Sequence, residues 1–133
     1  MERKEIAGRE DIQLLVDSFY DKVKADDRIG FIFNDIAKVD WPHHLPIMYN
    51  FWESLLLDTG VYGRNTMEPH FALNRKIPLE PPHFERWLQL FEATVNEHFT
   101  GEKAALALTR ARSIQGIMQL KMQKINHPEA GQK

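Results

Sequence analysis

The chain has no cysteine. Disulfides, thiolate-bound metals, iron–sulfur clusters, covalently attached c-type haem and thiol catalysis are therefore excluded together. Nor does it have a run of 18 apolar residues, which excludes a membrane-spanning helix. Residues Met1 to Glu5 are charged and lead into no apolar signal core, so the expected location is cytoplasmic. Neither sign of charge dominates: 17 basic side chains stand against 19 acidic ones, for a formal net charge of −2. Such an interspersed balance offers no phosphate-binding face, and nucleic acid is not an expected partner. Internal repeats, low-complexity segments and strand-like alternation are all missing.

What remains is 133 residues, 43% hydrophobic and 11% aromatic, enough for one domain around one core. The periodicity predicts an all-α fold. A first helix over 10–25 carries the stripe Ile12, Leu15, Val16, Phe19 and Val23, with Tyr20 at its edge. A short aromatic segment follows at 29–33. A second helix starts near Asp40, a suitable N-cap, with Pro42 in its first turn and the stripe His44, Met48, Phe51, Trp52, Leu55 and Leu56. Pro46 lies beyond that first turn, so the helix is expected to start late or bend there.

Gly60, Gly63 and Asn65 mark a loop over 58–66. Pro69 presets the start of a short helix with His70 in its first turn and Asn74 as a stop. Pro81-Pro82 opens a helix to about Phe99, striped by Phe84, Trp87, Leu88, Phe91, Val95 and Phe99. The last helix, about 102–125, presents Ala107, Ala111, Ile114 and Met118, with Leu120 and Met122 beside them. The core is expected over 10–125, with 1–8 and 127–133 as loose ends.

Four residues in these apolar settings carry polar tips: Tyr20, His44, His70 and Trp87. Two histidines and two polar-tipped aromatics suit a haem pocket, with one imidazole on iron and the other groups toward its ligand. Taken alone, each also has a plainer reading. His70, between Pro69 and Phe71, is equally a partly buried surface residue. Tyr20 and Trp87 are equally core aromatics whose tips find some partner, and His44 is equally an exposed residue at a helix start. His43, His83 and His98 are read as structural or solvent-facing.

An ordered set of motifs adds to this: Phe19-Tyr20-Asp21-Lys22-Val23, Ile32-Phe33-Asn34, Asp40-Trp41-Pro42-His43-His44-Leu45-Pro46, Asn50-Phe51-Trp52, Pro69-His70 and Arg86-Trp87-Leu88-Gln89-Leu90-Phe91. In that order they resemble the truncated haemoglobins over about residues 10–122. The absence of any Gly-Gly pair favours group III.

The resemblance implies a two-over-two globin sandwich around one b-type haem. His70 would be the proximal iron ligand. Tyr20, His44 and Trp87 would face the ligand, with His44 a donor, a gate or a sixth iron ligand. Phe33, Met48, Phe51, Phe91 and Ile114 would form the apolar shell, and Arg75 and Lys76 would meet the propionates. Oxygen, nitric oxide, carbon monoxide, cyanide or peroxide are the implied ligands. Retention of oxygen, with nitric oxide dioxygenation or peroxidase-like chemistry fed by a separate reductase, is favoured over oxygen transport. A gas or redox sensor without turnover, and a cofactor-free helical interaction domain, are the alternatives.

Overall fold

The computed structural model describes residues 3–58 and 67–128. The expected loop at 58–66 falls, apart from Asp58, outside the described residues, as do 1, 2 and 129–133. Five α-helices run in order: α1 (Arg9–Ala25), α2 (Trp41–Leu57), α3 (Met67–Lys76), α4 (Pro81–His98) and α5 (Glu102–Asn126). A π-helical turn (Ile32–Ile36) lies between α1 and α2, closed by an i to i+5 bond from the Ala37 amide to the Ile32 carbonyl at 2.7 Å. Among the described residues there is no strand. α1 packs on α2 and α4 packs on α5. The two pairs meet where α1 crosses α4 and α2 crosses α5.

The α1 stripe explains that arrangement. Ile12, Leu15, Val16, Phe19 and Val23 are all buried, and they bind one face of α1 into the core. Phe91 and Val95 answer from α4, Phe99 from just beyond its end, and Ala107, Ala111 and Met122 from α5. The small alanines let α5 approach closely. Leu120, expected beside this face, is instead 54% exposed.

Proline and charge set the helix ends. Asp40 is the N-cap of α2 as expected, but its side chain makes no capping bond; its carbonyl takes the amides of His43 and His44. The helix starts at Trp41, not late, and runs through Pro46. Pro46 has no N–H to give the Pro42 carbonyl. Both prolines are at exposed positions. α3 begins at Met67, which places Pro69 and His70 among the first four residues, whose amides need no intrahelical partner. At α4 the Glu80 amide donates to His83 Nδ1 at 3.0 Å. His83 is thus a helix cap.

Two local expectations fail for the same reason. Residues 3–8 are not a loose end: Lys4 exchanges backbone bonds with His98 and Thr100 (3.1 and 2.9 Å), and Ile6 is buried. Asn74 does not stop α3, which continues to Lys76; its side chain is buried and bonded across the fold. In both cases the deciding partner is far away in sequence. Gly101 opens α5 at φ +93°, where a Cβ would also meet Glu5 Oε1 at 2.7 Å, so only glycine fits there.

Candidate functional site

Tyr20 leaves the edge of the α1 stripe and is itself buried. Its ring lies 4.9 Å from Phe19, 5.2 Å from Trp41, 5.6 Å from His44 and 6.2 Å from Phe33, centroid to centroid. Trp41 and His44 stand three residues apart on α2, on one face, with centroids 5.7 Å apart and planes at 78°. Phe33 stacks on Trp41 at 6.3 Å, and the Lys24 ammonium sits 5.1 Å over the Trp41 ring. α1, the π-helical turn and α2 thus place four rings around the phenol.

Trp87 joins from α4. It meets Phe19 edge to face at 5.5 Å and stacks on Phe91 at 5.7 Å. Phe91 stacks on Trp52 with its other neighbour distance at 4.7 Å. Phe19 touches both Tyr20 and Trp87, so one buried ring spaces the two polar aromatics.

The polar tips share an uncommon condition. Tyr20, His44 and Trp87 make no side-chain hydrogen bond to any described residue. Yet among the described residues no side-chain N or O that is fully shut off lacks a partner. The three tips must therefore open onto accessible space, because a buried donor without a partner costs roughly 1–3 kcal/mol.

Electrostatics set their protonation. Burial pushes the Tyr20 phenol well above its ordinary range, so it keeps its proton and remains a donor. His44 is held below the ordinary imidazole value of 6.5, first by burial, then by the positive charges of His70 and His43. That coupling also places His70, on α3, near His44, on α2. His70 is at an exposed position, as is His43.

The other expected residues fall on the same helices. Phe33, Met48, Phe51 and Ile114 are half-buried and pack against the core. Leu55, Phe71, Leu73, Phe84 and Leu88 are half-buried as well, so α2, α3 and α4 each leave an apolar flank partly covered. Arg75 and Lys76 close α3 at exposed positions. Phe91 differs from the rest: it is wholly buried, stacked against Trp52 and Trp87. Sequence reasoning missed Trp41 and Phe19 as parts of this site. Their spacing, three before His44 and one before Tyr20, was the available signal.

A helical sandwich of this topology, with Tyr20 and Trp87 as unpartnered aromatic donors inside it, is a truncated, two-over-two globin. No family model matches the chain. It is 34% identical over 113 residues to the group 3 truncated hemoglobin ctb of Campylobacter jejuni, a match covering 83% of this chain and 87% of that protein. A crystal structure of a group III truncated hemoglobin from Campylobacter jejuni aligns with a TM-score of 0.78 and 32% identity, over 91% of this chain and 95% of that one. The chain belongs to the group III truncated haemoglobins.

Proposed function

We propose that this globin binds one haem b among α2, α3 and α4 and uses it to hold oxygen and other diatomic ligands. The observation that carries the proposal is the set of three unpartnered tips, Tyr20 Oη, Trp87 Nε1 and the His44 imidazole, within otherwise apolar walls. These donors fit the haem of a globin: one exposed imidazole on α3 suits the iron, and half-covered apolar flanks suit a flat macrocycle. When bound, haem supplies the iron at which a diatomic ligand is held.

His70 would hold the iron through a neutral ring nitrogen. Met48, Phe51 and Ile114 would exclude water, with Phe33 closing the far side behind Tyr20. Arg75 and Lys76 would meet the propionates at the surface. Tyr20 would donate its O–H and Trp87 its N–H toward the ligand. The depressed pKa keeps His44 neutral, with one nitrogen a donor and the other an acceptor. His44 would then donate to the ligand or itself ligate the iron.

Each charge-assisted bond of this kind contributes about 1.5–3 kcal/mol. Two would slow ligand release on the order of a hundredfold or more. Such retention supports chemistry on the ligand, nitric oxide dioxygenation or peroxide reduction with a separate reductase, over delivery. The visible spectrum of the purified chain beside His70→Ala tests the proposal. A strong Soret band whose ligation signature is lost in the variant is expected. No Soret band after haem addition would remove it.

A further inference from the structure

Outside the site lies one built polar cluster that the functional reading does not use. Asn74 sits in the last turn of α3, four residues after His70 and on the same face. It is 5% exposed, and it is the only buried side chain among those described on α3. Both ends of its amide are engaged. Oδ1 accepts the Leu79 amide at 2.8 Å and Asn126 Nδ2 at 3.0 Å, and Nδ2 donates to Asn126 Oδ1 at 2.9 Å. Asn126 Nδ2 also reaches the Leu79 carbonyl at 3.3 Å. The two amides face each other head to tail and join the end of α3 to the last residue of α5.

A buried amide is costly unless its donors and acceptors are matched, so the pair admits one relative placement of the two helices. The remaining described side chains of α3 are half-buried or exposed. One residue beyond each partner, His127 meets the Glu80 carboxylate at 3.1 Å and closes the same junction.

We propose that the Asn74–Asn126 amide pair positions the helix that carries His70, and so sets where that imidazole stands. Asn74 and Asn126 are positioning residues, one turn and one helix removed from the iron ligand. The inference rests on the reading of His70 as that ligand.

The test is Asn126→Ala, which leaves the α3 sequence intact, beside Val16→Ala as a core variant that lowers stability elsewhere. Two readouts apply. In the haem-free chain, amide exchange over residues 70–76 is measured relative to α1. In the haem-loaded ferrous chain, the iron–histidine stretching band and the rate of haem loss are measured. Asn126→Ala is expected to speed exchange in 70–76 and haem loss by roughly tenfold each, from the loss of matched buried bonds, and to shift or broaden the band. Val16→Ala is expected to move neither selectively. Asn126→Asp, which keeps an acceptor for Asn74 Nδ2 but not the donor, is expected to fall between. An Asn126→Ala chain with the wild-type band, and with haem loss no faster than in Val16→Ala, overturns the positioning role. A wild-type chain that takes up no haem, or whose band survives His70→Ala, overturns the reading of His70 and the inference with it.

Discussion

Arg86, in the first turns of α4, reaches the carboxylate of Asp26 at the end of α1, its Nε and a terminal nitrogen lying 2.9 and 2.7 Å from the same oxygen. The other oxygen takes the amides of Arg28 and Ile29, both at 3.0 Å. The Asp26 side chain is 3% exposed. Burial alone would raise its pKa, but the Arg86 bond and the two amides outweigh it and hold the carboxyl below its ordinary value. The pair ties α1 to the residue next to Trp87.

Asp26→Asn is therefore expected to cost about 1–3 kcal/mol, because it removes a charged partner from a partly buried pair. The sign of the pH dependence follows from the depressed pKa. The contribution is complete above the unfolded value of 3.8 and is lost as pH falls through the lower folded value. Urea midpoints at pH 7 and 5 should show the full gap between wild type and variant, and the gap should close below about pH 3.8. A gap unchanged at pH 3 would mean the pair carries no charge-dependent stability.

His44 supplies a second pH dependence, at higher pH. Its folded pKa lies below the ordinary 6.5, so the fold favours the neutral ring. As pH falls below 6.5 the unfolded chain takes up the proton first, and stability declines until the folded value is passed. NMR titration of His44 in the haem-free chain should place its midpoint below the ordinary 6.5. His70→Gln should raise it, since one of the three causes of the depression is the charge of His70. No movement in that variant would mean the two rings do not sense each other.

For the donors proposed to face the ligand, the expected readout is oxygen release. Tyr20→Phe and Trp87→Phe should each speed it by about ten- to a hundredfold, the equivalent of one charge-assisted bond. Stopped-flow displacement by carbon monoxide measures this directly. Release at the wild-type rate in both variants would remove the retention argument.

Trp41 gives a contrasting case, because it carries no proposed donor role. Its ring contacts Tyr20, His44 and Phe33, and aromatic pairs of this kind contribute about 0.5–1.5 kcal/mol each. Trp41→Leu should lower stability by roughly 1–3 kcal/mol, and Trp41→Phe should recover much of it. Thermal unfolding of the two variants checks this; equal losses would show that ring contacts are not what the residue supplies.

How far the sequence could be read depended on where each residue's partner lies. The α1 stripe, the start at Asp40 and the Pro81-Pro82 opening of α4 are local signals, and the structure agrees with them to within a residue or two. Tyr20, His44 and Trp87 were legible as polar tips in apolar runs, and His70 as a histidine beside a proline. The failures were non-local. Nothing near Lys4 announces Phe99, and nothing near Asn74 announces Asn126, 52 positions away. Phe91 was placed on the correct face of α4, but two tryptophans from different helices cover it, a fact of packing that no single stripe contains.

The chain's three tryptophans, at 41, 52 and 87, all belong to the aromatic groups around the site. The indole emission of this protein therefore comes from that region alone. A strongly absorbing guest seated there would lie within energy-transfer range of every emitter at once. Quenching should then be nearly complete at one equivalent, making the unlabelled chain its own titration probe.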